Sequence, residues 1–237
     1  MVDAIEQHFV PVVVRNNVEG REREVLEQFG EPTWANPSAR VVDPANQTTL
    51  VRIRGNYSRS GFLQTAGAGL RASKREVPSW LALHLGSGRR ATATYSMACF
   101  WTGEARLGAL EGVLSTRTGW RGGSEVVEVE FDPERVSEQA LSEAAKRMRC
   151  AQPFDANAGF RATPKDDKYQ VRRSLIRFLP LSATQATRIN ARLGRDFEDL
   201  LSPRQRRLWA QIQANPKGAW PLALGQPLGA AFAAAQR

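Results

Sequence analysis

The sequence contains few of the residues from which metal sites and disulfide scaffolds are built. It has two cysteines, Cys99 and Cys150, and two histidines, His8 and His84, in 237 residues. Two thiols are too few for a disulfide framework or a four-thiolate metal site. The histidines lie far in sequence from both cysteines, and carboxylates at metal-ligand spacing are missing. We therefore expect no metal and no bound cofactor.

Long apolar runs are also missing. No stretch approaches the length of a membrane-spanning helix, and the first residues lack a basic segment followed by an apolar one. The hydrophobic content of 42% and the charged content of 24% are ordinary for a globular protein. These features predict a monomer in the cytoplasm that does not associate with a membrane.

Acidic residues are outnumbered, with 24 Asp and Glu against 33 Lys and Arg and a net charge of +9. Between Arg161 and Arg207 there are 12 basic and 5 acidic residues, a local excess of +7. Such a surface can attract nucleic acid, but it can equally be a solvated basic face. Because zinc-finger spacing and Arg-Gly repeats are both missing, we do not expect a nucleic-acid partner.

Cys99 lies between two predicted elements. Residues 91–97 are typical of a strand, and apolar residues at helical spacing predict a helix over 102–114. A cysteine at a helix start meets unpaired backbone N–H groups, which favour the thiolate. Phe100 and Trp101 follow at once and predict an apolar pocket wall. The alternative is an inert buried cysteine, as lone cysteines in apolar runs usually are.

Three segments after residue 98 occur together. They are Cys99-Phe100-Trp101-x-x-Glu104, then Gly-Trp-Arg-Gly-Gly at 119–123, then a Val-rich run from Glu125 to Asp132-Pro133. Their order and spacing resemble the methionine sulfoxide reductase A family, the peptide-methionine (S)-S-oxide reductases. That family has Gly-Cys-Phe-Trp-x-x-Glu, Gly-Tyr-x-Gly-Gly, and a Glu that leads into a strand ending Asp-Pro. The resemblance extends more faintly to Arg192.

The resemblance implies a thiol-dependent oxidoreductase that repairs oxidised methionine in proteins or peptides under oxidative stress. It implies that Cys99 is the nucleophile, that Glu125 is the proton donor, and that Phe100 and Trp101 hold the S-methyl group. An external thiol such as thioredoxin would be the reductant. Cys150 is the candidate resolving cysteine, although it can equally be a plain buried residue.

Several positions depart from the family pattern. Trp120 replaces the family tyrosine, and a histidine that precedes the family's Glu is missing. Residues 167–174 match the family's Asp-x-Gly-x-Gln-Tyr-Arg-Ser with Asp167 aligned and Arg172 in place of Tyr; Tyr169 is a candidate replacement for that hydroxyl. The predicted substrate-binding residues are Phe100, Trp101, Trp120, Asp167 and Tyr169. These departures leave a second hypothesis open, in which the chain is a catalytically inactive fusion that binds a partner.

The order of predicted elements indicates an α+β protein. A strand over 9–14, a helix over 19–29, a hairpin with runs over 36–43 and 49–55 that Pro37 introduces, and a helix over 61–72 are typical of a thioredoxin-like domain. This region has no cysteine, so the module would be degenerate. Strand, helix, Gly-rich turn, strand and helix from residue 91 onward predict a two-layer ferredoxin-like sandwich.

Further elements are predicted towards the C-terminus. They are a strand over 174–179 and helices that begin after Ser182 and Ser202. The sequence thus predicts a thioredoxin-like module at 1–90, a methionine sulfoxide reductase A-like domain at 91–200, and a C-terminal helix and tail at 201–237.

Overall fold

The computed structural model describes residues 1–35, 37–53, 55–149, 152–153, 158–192 and 194–235, with only the backbone at 152–153. The chain divides into two compact units, residues 1–85 and 86–237. Both units combine helices with antiparallel strands, so the predicted α+β class is confirmed. The functional boundaries at 90 and 200 stay predictions. Among the described residues, every helix is too short or too polar to span a lipid bilayer.

The first unit is a short hairpin with four helices. Its elements are α1 (Val2–His8), α2 (Arg21–Gln28), β1 (Arg40–Val42), β2 (Thr49–Arg52), α3 (Arg59–Ala72) and α4 (Ser79–Ala82). The predicted hairpin is confirmed, with Val41 paired to Val51. Five of its buried residues form a hydrophobic cluster, Ala4, Leu63, Leu70, Trp80 and Leu81.

The predicted strand over 9–14 is wrong. This segment has no strand partner, and Val10, Val12 and Val13 are 88%, 78% and 84% exposed. Apolar β-branched residues do not form a strand without a neighbouring strand to bond, and Pro11 lacks an N–H donor. The described residues of this unit contain a single two-stranded sheet, which gives no support to a thioredoxin-like module.

A buried carboxylate anchors the hairpin of the first unit. Glu31 accepts hydrogen bonds from Arg40 Nε at 2.7 Å, Arg52 Nε at 2.8 Å and Ser38 Oγ at 2.8 Å. The hydrogen bond from Arg52 is the largest cause that lowers the pKa of Glu31 to about 2. The charged carboxylate therefore joins β1 and β2 to the loop that follows α2.

We expect Glu31→Gln to destabilise the protein in a pH-dependent way. A carboxyl whose pKa is depressed on folding contributes its full stability above its unfolded pKa, about 4.5, and loses it as pH falls towards 2. The difference in unfolding free energy between wild type and variant should therefore shrink between pH 5 and pH 2. Urea unfolding of both proteins at a series of pH values measures this difference. A difference that stays constant with pH would show that the charge of Glu31 does not contribute to stability.

The second unit contains a five-stranded sheet. Its elements are β3 (Ala91–Ser96), α5 (Phe100–Gly108), β4 (Val113–Arg121), β5 (Ser124–Phe131), α6 (Glu138–Arg147), β6 (Gln152–Pro153), β7 (Arg161–Ala162), α7 (Tyr169–Arg172), a 3-10 helix Leu175–Phe178, α8 (Ala183–Arg192), a 3-10 helix Glu198–Leu200, α9 (Pro203–Ala214) and α10 (Leu228–Ala234). The strand order is β6-β3-β5-β4-β7, and every pairing is antiparallel. From β3 to β6 the order is β-α-β-β-α-β, which is the ferredoxin-like arrangement.

The sheet has one apolar and one polar face. Val127, Val129 and Phe131 alternate along β5 and pack with Leu107 of α5 and Leu141 of α6. Since successive strand residues point to opposite faces, the residues between them lie on the other side. There Glu128 pairs with Arg117, and Glu130 pairs with Arg90. One face therefore holds the core and the other carries ion pairs.

Two predicted boundaries in this unit are wrong. The helix predicted over 102–114 ends at Gly108, because Gly112 has φ +81° and Val113 already begins β4. The Gly-rich turn predicted over 119–123 is mostly strand, since β4 continues to Arg121 and only Gly122 and Gly123, with φ +55° and +82°, form the turn. A residue with positive φ ends a helix or a strand even where the spacing of apolar residues suggests that the element continues.

The later elements follow local capping signals. Ser137 Oγ accepts from Ala140 N at 3.1 Å, and Ser202 forms a capping box with Gln205. The Ser182 capping box is also confirmed, since Gln185 N donates to Ser182 Oγ at 3.1 Å. The strand predicted over 174–179 is wrong, because Ser174 caps a 3-10 helix by accepting from Ile176 N at 3.2 Å.

Candidate functional site

Cys99 is the N-cap residue of α5, in the short connection that follows β3. Its thiol is free and its side chain is partly buried. Its carbonyl accepts the first helical hydrogen bond, from Gly103 N at 3.1 Å. The sulfur therefore lies at the end of α5 where the first N–H groups have no partner within the helix.

The lack of a side chain at Gly103 leaves space for Met97. A Cβ atom built on Gly103 would lie 1.8 Å from Met97 Sδ and 2.6 Å from its Cε. Met97 is the residue after β3, and it packs against the core of the unit. The glycine in Cys-Phe-Trp-Thr-Gly-Glu thus makes room for Met97 within one turn of Cys99.

The structure brings Glu125 next to the helix start. Glu125 Oε2 accepts from Phe100 N at 2.8 Å, so the carboxylate contacts the backbone of the residue that follows Cys99. Glu125 lies on β5 directly opposite Trp120 on β4. Side chains of directly paired residues lie on the same face of a sheet. The predicted nucleophile, proton donor and Trp120 are therefore neighbours in the fold.

Four aromatic rings line this end of the sheet. The ring centroid of Phe100 lies 5.8 Å from that of Trp101 and 6.1 Å from that of Trp120, and the Phe100 and Trp120 rings meet edge to face. Trp101 stacks on Tyr169 with ring centroids 4.1 Å apart and planes 20° apart. The Trp101 indole Nε1 is buried and has no hydrogen-bond partner among the described residues. The predicted pocket residues thus form one continuous aromatic surface.

The hydroxyl of Tyr169 is already engaged. Arg173 donates to it at 2.6 Å, and the guanidinium of Arg173 lies 5.2 Å from the centroid of the Tyr169 ring. Arg172, which replaces the family tyrosine, donates instead to the carbonyls of Asp167 and Pro164 at 3.2 and 2.8 Å. The Tyr169 hydroxyl thus accepts from Arg173 and keeps its own proton to donate, while Arg172 binds backbone carbonyls.

Asp167 fixes the segment that carries Tyr169. Its Oδ1 accepts from Thr118 N at 2.5 Å and from Thr118 Oγ1 at 2.9 Å. Thr118 lies on the same face of β4 as Trp120, because the two residues are two positions apart. In the structure, therefore, Asp167 attaches the loop before α7 to β4.

Sequence reasoning missed the ion pair beside it. Glu104 and Lys168 are buried, with Oε1 and Nζ 2.9 Å apart, and Lys168 N also donates to Glu104 Oε2 at 2.8 Å. Burial raises the pKa of Glu104, and the neighbouring Lys168 partly offsets this effect. One signal was available: Glu104 lies three residues before Leu107, so helical spacing places both on the buried face of α5.

Other predicted features lie elsewhere or outside the described residues. Cys150 is outside them. In the basic region, Arg188 donates to the carbonyls of Gly108 and Val113 at 2.9 and 3.1 Å, and Arg192 pairs with Asp199 at 2.8 Å. Part of the basic excess is thus used within the fold. In the described part of the chain, no group of three or more His, Cys, Asp or Glu residues is arranged to hold a metal ion.

Comparison with known proteins gives a partial similarity. No family model matches the chain. The peptide methionine sulfoxide reductase of Drosophila melanogaster is 40% identical over 65 residues, which are 22% of this chain and 26% of that protein. The chain therefore spans about a quarter of the length of the curated relative it matches. This similarity relates part of the chain to a methionine sulfoxide reductase.

We expect Gly103→Ala to stabilise the second unit less than its control does, or to destabilise it by up to about 1 kcal/mol, because the new methyl group must displace the flexible end of the Met97 side chain. Gly229→Ala is the matched control: Gly229 lies in α10 with nothing within 4 Å of a built Cβ. That control should gain up to about 1 kcal/mol from helix propensity alone. Urea unfolding measures both variants. Equal stabilisation by both would show that Met97 does not need the space at Gly103.

Proposed function

We propose that this protein reduces methionine-S-sulfoxide, free or in peptides, to methionine with Cys99 as the nucleophile. The observation that supports it most is the contact between Glu125 and Phe100 N at 2.8 Å. The Glu125 carboxyl thus contacts the backbone of the residue that follows Cys99, which supports its role as the acid. The partial similarity to a methionine sulfoxide reductase supports the same reaction.

The first step transfers one oxygen atom and two electrons. The Cys99 thiolate attacks the sulfoxide sulfur, and an S–S bond forms while Glu125 delivers a proton to the sulfoxide oxygen and the S–O bond breaks. The hydroxide released in this way then attacks the Cys99 sulfur, and the S–S bond breaks with methionine as the leaving group. The net change converts a thiol and a sulfoxide into a cysteine sulfenic acid and a thioether. Methionine sulfoxide is thus reduced while Cys99 is oxidised, and every atom of the two reactants is retained in the products.

The aromatic surface would hold the methyl group of the substrate. Phe100, Trp101 and Trp120 lie around the helix start and offer apolar ring faces and edges. Burying a methyl group there contributes on the order of 1 kcal/mol of binding free energy. Trp120 also carries an indole N–H, which can donate to an oxygen from a different point than the family's tyrosine.

The sulfenic acid must then be reduced by thiols. Two thiols convert it back to the Cys99 thiol, with one disulfide and one water molecule as products. We propose an external reductant of the thioredoxin class, or Cys150 as the first of the two thiols.

A partner-binding module is the second candidate function. It is favoured by Tyr169, whose ring stacks on one face of Trp101 and whose hydroxyl accepts from Arg173. One face of the Trp101 indole is thus occupied within the chain, which leaves only its other face and its edge for a ligand. In this case the chain would keep the fold and use the same aromatic surface for a protein partner.

We expect Cys99→Ser to abolish reduction of an S-configured methionine sulfoxide peptide, because the alcohol is a far weaker nucleophile than the thiolate. Turnover is measured by NADPH oxidation with thioredoxin and its reductase, or by methionine release with dithiothreitol. Cys150→Ser is the matched control. Loss of only the thioredoxin-driven reaction in that variant would identify Cys150 as the resolving cysteine. No turnover by wild type with either reductant would favour the partner-binding module.

We expect Glu125→Gln to lower kcat/KM by about 10²- to 10⁴-fold, the usual contribution of a general acid. The amide still accepts the hydrogen bond from Phe100 N but cannot deliver a proton, so the thermal midpoint should stay near that of wild type. Glu128→Gln, three residues along β5 and on its polar face, is the control and should keep full activity. An unchanged rate in Glu125→Gln would remove this residue from the acid role.

A further inference from the structure

Two adjacent contacts join α5 to the segment 167–171. Trp101 stacks on Tyr169, and three residues along the helix Glu104 pairs with Lys168, the residue before Tyr169. Residues three apart in a helix lie on one face. The side chains at 101 and 104 therefore meet two neighbouring residues of the segment, 169 and 168, in the opposite order along the chain.

We propose that Lys168 is a positioning residue, which through its ion pair with Glu104 fixes Tyr169 on Trp101 and thereby shapes the aromatic surface beside Cys99. Its kinetic consequences rest on the proposed function, whereas its structural consequence can be measured without any activity. Lys168 itself need not touch the substrate.

The ammonium group of Lys168 connects three parts of the unit. Nζ lies 2.9 Å from Glu104 Oε1 on α5 and donates at 2.5 Å to the carbonyl of Thr116 on β4. The carboxylate also accepts from Thr116 Oγ1 at 3.2 Å and from Asn190 Nδ2 on α8 at 3.4 Å. Each hydrogen bond has a required direction, so the set fixes the orientation of the segment as well as its distance from α5.

The backbone at Lys168 is in an unfavourable conformation. Its φ of +53° and ψ of +47° lie in the left-handed region, which non-glycine residues rarely adopt. Two hydrogen bonds hold the chain in this turn. Lys168 N donates to Glu104, and the preceding residue, Asp167, accepts from Thr118 N. Such strain persists only where the surroundings fix it, and here it directs residue 169 towards Trp101.

Stability alone does not account for this pair. The Glu104 side chain is 0% and the Lys168 side chain 9% exposed, and removing two charges from water costs about as much free energy as their attraction returns. Two apolar side chains of similar volume would fill the space equally well. They would, however, not supply the directed bonds to Thr116 and Asn190, so the pair is better explained by positioning.

The test compares Lys168→Met with Glu104→Gln/Lys168→Met in the full-length chain. The readout is the indole N–H resonance of Trp101 in ¹⁵N-tryptophan-labelled protein, which is assigned by its loss in Trp101→Phe. In both variants we expect this resonance to move towards the position that it has in Tyr169→Leu. We also expect KM for the sulfoxide peptide to rise about tenfold or more, because small displacements of a substrate-positioning group are costly. The double variant, which leaves no unpaired buried charge, should recover most of the thermal midpoint that Lys168→Met loses.

Lys165→Met, the same substitution at an exposed position of the same loop, is the control and should leave resonance and KM unchanged. A double variant with the wild-type resonance and KM would overturn the inference, because the pair would then serve stability alone. If wild type shows no reductase activity, the proposed function fails, but the indole resonance still decides whether Lys168 positions Tyr169.

Discussion

The register between β4 and β5 decides which side chains can reach Cys99. Trp120 pairs with Glu125 and Thr118 pairs with Val127. Trp120 and Glu125 therefore lie on the same face of the sheet as the core residue Val127. A shift of one residue would turn each of them to the opposite face, where Glu128 and Glu130 form surface ion pairs. The turn at Gly122 and Gly123, whose left-handed φ values suit glycine, fixes this register.

The helix α5 then serves the site in two ways. Its first turn places Cys99 against the end of β3, where Gly103 leaves room for Met97 and Phe100 N reaches Glu125. Its second turn carries Glu104, which is bonded to Lys168. One rigid element therefore relates the thiol to the aromatic surface, and functional groups on such elements are held more accurately than groups on loops.

Local signals in the sequence predicted much of this unit. Serine caps, the Val-rich run before Asp132-Pro133 and the strand before Cys99 depend on neighbouring residues, and the structure contains all of them. The boundary errors came from apolar residues that suit a helix or a strand equally, such as Val113 and Leu114, where only the backbone conformation at Gly112 distinguishes the two. The extended segment at 9–14 looked like a strand because propensity says nothing about whether a partner strand exists.

The candidate site likewise contains some residues that the sequence identified and others that it could not identify. Cys99, Phe100 and Trp101 are contiguous, and the resemblance of the sequence pattern to a known family was enough to select Glu125 and Trp120 with them. Lys168 could not be selected from its sequence, because its importance depends on burial against Glu104, 64 residues away. The stacking of Tyr169 on Trp101, which is distant in sequence, was likewise visible only in three dimensions.

A single-turnover experiment tests the central claim most directly. The protein is mixed with an excess of S-configured methionine sulfoxide peptide in the absence of any reductant, and released methionine and the oxidation state of each cysteine are measured by mass spectrometry. The account predicts a burst of about one methionine per chain, with the oxygen on Cys99 or a disulfide that includes it. No methionine, or oxidation confined to Cys150, would contradict it.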